Sequence, residues 1–112
     1  MCSSDLIFMI KNNLLYFKSA NLNFKNLILL KKYFRLITIK HKRDALKLSL
    51  KEKIRVQVIY CDQQNFLDGV FLSSFKNLKY LVSSTTSTDF IDKIFCKKYN
   101  IKIISLESKR FF

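Results

Sequence analysis

Apolar residues recur along this chain with two different spacings, and each spacing predicts a different kind of element. A wide apolar stripe over residues 4–17, with Ser4 in position to cap it, predicts a first helix. Residues 25–35 predict a second helix. A third helix is predicted over residues 88–98, because Thr86 and Asp89 have the spacing of a capping box.

Alternation of apolar and polar residues in other segments predicts strands with one buried face. These segments are residues 35–40, 46–50, 54–60, 66–72, 78–82 and 101–104, with turns predicted at 51–53 and 61–65. Because this order groups the strands between the helices, we expect an α+β fold with a mostly antiparallel sheet. The 112 residues suffice for one compact domain or for two small lobes that share an interface.

The net charge narrows the class of partner. Lys and Arg number 21 against 8 Asp and Glu, which gives a net charge of +13, while 49% hydrophobic residues are enough for a core. Such self-repulsion favours a polyanionic partner, with nucleic acid as the first candidate and an acidic membrane surface as the second. Residues 31–55 hold ten basic and two acidic side chains. This segment is expected either to meet phosphates, with Lys31, Lys32 and Arg55 among the contacts, or to be a solvated charged face.

Few residues suited to catalysis or metal binding are present. Cys2, Cys61 and Cys96 are widely spaced and His41 is the only histidine, so a zinc site lacks ligands and the thiols are expected to be free. With Gly69 as the only glycine, a glycine-rich phosphate loop is excluded. We therefore expect no enzymatic activity, no cofactor, no metal and no small-molecule substrate.

The apolar runs are too short to span a bilayer. The longest, residues 6–10 and 27–30, fall far below the ~20 residues that a spanning helix needs. No basic region precedes the first run, so a secretory leader is not expected. Lys, Ile, Asn, Phe and Tyr, which have A/T-rich codons, are abundant and indicate an A/T-rich genome such as that of an organelle, where the protein would then be made.

Several short motifs follow one another along residues 4–110. They are Ser4-Asp5 at the first helix, Met9-Ile10-Lys11-Asn12, Asn23-Phe24-Lys25-Asn26-Leu27, Lys53-Ile54-Arg55-Val56, Ser74-Phe75-Lys76-Asn77-Leu78-Lys79, Asn100-Ile101-Lys102-Ile103-Ile104 and Ser105-Leu106-Glu107-Ser108-Lys109. In order and spacing they resemble the family of the eighth small-subunit ribosomal protein. The chain looks like a divergent organellar member of this family with a shortened C-terminus.

The resemblance implies a structural constituent of the small ribosomal subunit that binds and stabilises the central domain of small-subunit rRNA beside neighbouring ribosomal proteins. It implies two lobes, residues 1–60 with helices and an antiparallel sheet and residues 61–112 with strands and one helix. The implied location is the ribosome of the mitochondrial matrix, with a plastid-type organelle as the alternative. The residues that it places against RNA are Lys11, Asn12, Lys25, Asn26, Ser74, Lys76, Asn77, Lys79, Ser105, Ser108 and Lys109.

Other classes of protein stay open. Residues 88–106, a predicted helix followed by a strand, are similar to the end of the large-subunit ribosomal protein twenty-three. A basic accessory subunit of an organellar membrane complex would also account for the charge and the apolar content. A small enzyme is the remaining alternative.

Overall fold

The computed structural model describes residues 12–20, 24–62, 65–84 and 88–105 of the chain. Within these ranges five strands alternate with short helical crossovers. In chain order the elements are β1 (Asn12–Phe17), a 3-10 turn (Lys18–Ala20), α1 (Phe24–Tyr33), β2 (Phe34–Ile39), α2 (Lys42–Leu46), α3 (Leu50–Ile54), β3 (Val56–Cys61), α4 (Gly69–Leu72), β4 (Tyr80–Ser83), α5 (Lys93–Lys98) and β5 (Lys102–Ser105).

The strands form one sheet in the order β2-β1-β3-β4-β5, and every neighbouring pair is parallel. The predicted antiparallel α+β arrangement is therefore wrong. Every described connection between consecutive strands contains at least one helix, as parallel pairing requires, because a short hairpin cannot bring a strand back in the same direction. Strands of both proposed lobes join this single sheet, since β3 pairs with β4 directly.

Helices cover both faces of the sheet and divide the core in two. The larger apolar cluster lies between the sheet and the helices that follow β2, β3 and β4, and it includes Leu15, Phe17, Ile59 and Phe71. The smaller cluster lies on the face covered by α1 and contains Leu14, Tyr16, Val58 and Tyr60. This is a doubly wound α/β architecture of the Rossmann type.

The prediction of a helix over residues 4–17 is wrong for the second half of that range, because these residues form β1. Residues 13–17 are all buried, because β1 is an interior strand whose side chains enter the core on both faces of the sheet. A strand buried on both faces gives a continuous apolar run instead of alternation, and such a run is easily read as one side of a helix. Residues 4–11 lie outside the described residues.

Two predicted strands are helical instead. Residues 46–50, where leucines alternate with polar residues, join α2 to α3, and Leu46 and Leu50 are both exposed. Ser49 caps α3, since its side chain accepts a hydrogen bond from the Glu52 N–H, and the turn predicted at 51–53 lies inside this helix. Of the strand predicted over 66–72, Leu67 makes one isolated bridge and the end is α4, capped by the Asp68 side chain.

Other elements were predicted correctly. The second predicted helix corresponds to α1. The strands predicted over residues 35–40, 54–60, 78–82 and 101–104 correspond to β2, β3, β4 and β5. The last helix, α5, is shorter than predicted, because it begins after Asp92, whose side chain caps it. Thr86 lies outside the described residues. Among the described residues, every helix is too short or too polar to cross a lipid bilayer.

Candidate functional site

The order of the strands reverses beside β1, and this reversal marks a crevice at one edge of the sheet. The chain passes from β1 to β2 on one side, whereas β3, β4 and β5 follow on the other side. In open α/β sheets, ligands bind outside the carboxyl ends of the strands at such a reversal. The candidate site therefore lies at the carboxyl ends of β1 and β3, which are followed by Lys18 and Asp62.

A pair of tyrosines lies directly beneath this crevice. Tyr16 and Tyr60 are the last residues but one of β1 and β3, and the register places them side by side. Both are buried, and their ring centroids lie 5.8 Å apart with the ring planes tilted by 57°. Both rings belong to the smaller apolar cluster on the face of the sheet that α1 covers.

The loops at the carboxyl edge are tied to one another. The Lys42 ammonium, which follows β2, donates to the Phe66 carbonyl at 2.5 Å and lies 5.9 Å from the centroid of the Phe71 ring. The Leu67 N–H donates to the Phe90 carbonyl at 2.8 Å. Three separate crossover segments thus share one rim, which holds the mouth of the crevice in a fixed shape.

Small polar side chains end the three strands on the β3 side. Cys61, Ser83 and Ser105 lie side by side as the last residues of β3, β4 and β5. The Ser84 N–H donates to the Cys61 carbonyl at 3.0 Å, and the Ser84 side chain is half-buried. Ser83 is fully buried and Ser105 is half-buried, whereas Lys18, directly after β1, is exposed. Hydroxyl and ammonium groups are donors suited to a carboxylate.

The thiols do not supply a nucleophile at this edge. Burial raises the pKa of Cys61, as do the nearby charge of Asp62 and the Cys96 thiol, and the Cys61 Sγ contacts the Val82 carbonyl oxygen at 3.4 Å. Burial also raises the pKa of the free Cys96 thiol. Since a thiolate is the reactive form, both groups are unreactive at neutral pH. The described residues contain no cluster of His, Cys, Asp and Glu that could hold a metal ion.

Most of the residues predicted to contact RNA lie away from this crevice. Asn12, Arg55, Asn77 and Lys79 are at the amino edge of the sheet, at or just before the first residues of β1, β3 and β4. Asn77 is engaged in the fold, since its Nδ2 donates to the Ile54 carbonyl at 2.8 Å.

Of the remaining predicted residues, Lys76 lines one cavity with Asn77 and Lys79, and the others do not join that group into one surface. Lys25, Asn26, Lys31 and Lys32 belong to α1, and Ser105 ends β5 at the carboxyl edge. The turn between α4 and β4 contains Ser74 and Lys76. Lys11, Ser108 and Lys109 lie outside the described residues. The role of these side chains in binding stays a prediction.

Sequence reasoning missed the residues of the crevice. Tyr16 and Lys18 were assigned to the end of a helix and to the segment after it, and Tyr60 was placed in an antiparallel strand. The signal that identifies them is the pair of continuous apolar runs at 14–17 and 58–61, each followed directly by polar residues. Two such runs indicate neighbouring interior strands of a parallel sheet, whose carboxyl ends form a binding edge.

Three solved structures with the same fold are described as reductases or dehydrogenases. A glyoxylate reductase from Paecilomyes thermophila is 19% identical with a TM-score of 0.72, over 87% of this chain and 32% of that one. A 2-hydroxyacid dehydrogenase from Ketogulonicigenium vulgare Y25 is 16% identical with a TM-score of 0.66, over 85% and 29%. An NADPH-dependent glyoxylate/hydroxypyruvate reductase from Sinorhizobium meliloti, in complex with NADP and malonate, is 17% identical with a TM-score of 0.67, over 86% and 28%.

This chain therefore spans less than a third of the length of these three proteins. No family model and no curated protein sequence matches it. At these identities the similarity establishes the fold, which is the doubly wound parallel sheet.

The ribosomal interpretation is wrong, because the described residues form a doubly wound parallel sheet like that of the solved structures above, and the predicted antiparallel sheet is absent from them. The same findings overturn the predictions that depended on it: a role in the small subunit, rRNA and ribosomal proteins as partners, no small-molecule substrate and no enzymatic activity. A large-subunit protein and a membrane-complex subunit gain no support either. The organellar location stays a prediction. Short motifs rich in Lys, Ile, Asn and Leu recur by chance in a chain of this composition, so their order carried little information.

The residues of this chain do not fit the dinucleotide cofactor that such a fold often binds. The dinucleotide motif needs several glycines in the first turn after β1, so that the backbone can approach the pyrophosphate. Here β1 is followed by Lys18, Ser19 and Ala20, and the only glycine of the sequence begins α4. A Cβ atom on Gly69 would lie 2.9 Å from Cδ2 of Phe95, so this glycine serves close packing and not phosphate binding.

Proposed function

We propose that this chain forms the substrate-side domain of an oxidoreductase that acts on 2-hydroxy acids or the corresponding 2-oxo acids. The observation that carries the proposal is the parallel sheet shared with a glyoxylate reductase and a 2-hydroxyacid dehydrogenase over 85–87% of this chain. Because the chain spans only about 30% of those proteins, it would work with a second domain, on the same polypeptide or on another.

The strand order and the missing glycines support assigning the substrate to this chain and the cofactor to the second domain. Dinucleotide-binding Rossmann domains have the order 3-2-1-4-5-6, whereas this sheet has the order β2-β1-β3-β4-β5. The second domain would hold the nicotinamide cofactor, which supplies the hydride when bound. This chain would supply the crevice in which the carboxylate of the substrate is bound and oriented.

The residues at the carboxyl edge have the chemistry for that task. The exposed Lys18 ammonium follows β1 and can donate a charge-assisted hydrogen bond to a carboxylate oxygen. The half-buried hydroxyls of Ser84 and Thr88 lie on the two sides of the segment after β4. The buried rings of Tyr16 and Tyr60 exclude water beneath the bound acid and so strengthen these polar contacts.

Titration of the 112-residue protein with malonate or glyoxylate, followed by amide NMR shifts, tests the proposal. We expect shifts at the carboxyl edge, around Lys18, Asp62 and Ser84, and none at the amino edge. Lys18→Gln should weaken malonate binding about tenfold, since a hydrogen bond to a charged group contributes on the order of 1.5–3 kcal/mol. NADH added alone should cause no shifts at the carboxyl edge.

The matched control is Lys51→Gln, which removes the same charge from the exposed face of α3. It should leave malonate affinity unaltered. Absence of any carboxylate-dependent shift at the carboxyl edge would contradict the proposed function. Tight binding of NADH at the carboxyl edge of this chain alone would contradict the assignment of the cofactor to a second domain.

A further inference from the structure

A second cavity opens at the opposite, amino edge of the sheet. It has a volume of about 370 Å³ and lies where β4 and β5 begin. The side chains that give it its character are those of Lys76, Lys79, Tyr80, Tyr99, Asn100 and Lys102. A volume of this size is typical of small-molecule sites.

Uncompensated positive charge distinguishes this cavity. Lys76, Lys79 and Lys102 are all exposed, and the described residues that line the cavity with them include no carboxylate. The two salt bridges found among the described residues involve Arg35 and Lys93, and neither lies in this cavity. Three ammonium groups around one space repel one another, and an anion bound between them would relieve that repulsion.

The backbone beneath the lysines is held by hydrogen bonds on both sides. The Lys79 N–H donates to the Gln57 carbonyl at 2.9 Å, and the Lys102 N–H donates to the Lys79 carbonyl at 2.9 Å. The Asn77 side chain ties the preceding turn to the Ile54 carbonyl. The lysine side chains therefore project from an ordered backbone, so that ligand binding orders the side chains but need not order the chain beneath them.

An apolar groove of about 380 Å³ adjoins the basic cavity. Phe75, Leu78 and Ile101 contribute to its lining, and Tyr99 belongs to both spaces. The Tyr99 ring is 56% exposed, and its centroid lies 4.5 Å from that of Phe95, which holds it in place. A ligand that fills both spaces needs an anionic end and an apolar or planar end.

We propose that this composite site binds an organic polyphosphate, a class that includes the nucleoside polyphosphates. The phosphate groups lie between Lys76, Lys79 and Lys102, and the planar or apolar part lies on Tyr99 in the groove. Since the site is at the edge opposite the substrate crevice, it is a separate site and does not depend on the proposed function. Lys76, Asn77 and Lys79 come together at this cavity.

Calorimetric titration of the 112-residue protein with ATP, tripolyphosphate and adenosine at one ionic strength tests this proposal. ATP should bind more tightly than tripolyphosphate, and adenosine should bind least. Lys79→Gln combined with Lys102→Gln should weaken ATP binding at least tenfold. Tyr99→Leu should weaken ATP binding severalfold while leaving tripolyphosphate binding unchanged.

The control is Lys25→Gln combined with Lys40→Gln, which removes the same two charges from exposed positions outside this cavity. An equal loss of affinity in the control would show general attraction by the net charge and would overturn the site. Equal affinity for ATP and tripolyphosphate would overturn the role of the groove. No binding of either phosphate compound would overturn the whole proposal.

Discussion

At the scale of single residues, packing explains the only glycine of the chain. Gly69 begins α4 opposite α5, where a Cβ atom would lie 2.9 Å from Phe95 Cδ2 and 3.3 Å from Asp92 Oδ2. Phe95 cannot move away freely, since it packs against the larger apolar cluster and against the Tyr99 ring. The absence of a side chain at this position is what lets the two helices approach.

Gly69→Ala should therefore lower the free energy of unfolding by about 1–2 kcal/mol, as overpacking does elsewhere. Urea denaturation followed by circular dichroism measures this difference. Combining Gly69→Ala with Phe95→Leu should recover part of the loss, because a smaller side chain accepts the new methyl group. Val70→Ala, at the neighbouring exposed position, should cost less. Full stability of Gly69→Ala would show that the helices are not in close contact.

The buried Cys61 thiol makes stability depend on pH in the alkaline range. Burial raises the pKa of this thiol in the folded chain, whereas in the unfolded chain its pKa is about 8.5. Above that pH the unfolded state loses a proton that the folded state keeps. The free energy of unfolding should fall as pH rises, by up to about 1.4 kcal/mol per pH unit, and the effect should be absent below pH ~8.

Urea denaturation at pH 8 and at pH 10.5, compared between the native sequence and Cys61→Ala, isolates this effect. Tyr and Lys titrate in both proteins, so only the difference between their pH slopes belongs to Cys61. The native sequence should show the steeper loss of stability. Identical slopes would mean that the thiol is accessible to solvent.

At the scale of elements, the turn from α5 into β5 depends on one left-handed residue. Asn100 has φ of 57°, and the hydrogen bonds Ile101 N–H to Cys96 carbonyl and Asn100 N–H to Lys97 carbonyl form a Schellman motif. Asn tolerates this conformation better than most residues other than glycine. The motif directs the chain back along the sheet to start β5.

Asn100→Ala should lower the free energy of unfolding by about 1 kcal/mol, because an ordinary L-residue is strained in the left-handed region. Asn100→Gly should be close to neutral, since glycine adopts this conformation without a Cβ clash. Thermal denaturation of both variants separates the two cases. An alanine variant as stable as the glycine variant would contradict the conformational explanation.

Elements whose periodicity is regular were predictable from the sequence, and the others were not. Helix α1 and strands β2, β4 and β5 follow the pattern of their apolar residues. Helices α2 and α3 have five residues each, which is too short for a helical period to show, and the leucines at 46, 48 and 50 imitate a strand. In β3, Ile59 and Cys61 are buried as well as Val58 and Tyr60, and this two-sided burial is the evidence for parallel pairing.

At the scale of the whole molecule, the net charge of +13 predicts an anionic partner but does not identify its class. The structure places Lys76, Lys79 and Lys102 around one cavity although they are up to 26 residues apart in sequence. No local motif reports such a grouping. The crevice at the carboxyl edge was equally hidden, since it depends on the order of strands that only the tertiary fold reveals.

The all-parallel sheet also has a consequence for the order in which the chain folds. No strand can pair through a short hairpin, so β1 gains both of its neighbours only when the chain is complete to Cys61, and β3 only when it is complete to Ser83. Pairing between distant segments makes folding slow and leaves strand edges open in the meantime. During synthesis, the apolar segments 14–17 and 58–61 would each be exposed until the strand that pairs with them has been synthesised. Chaperones would be most needed during that interval.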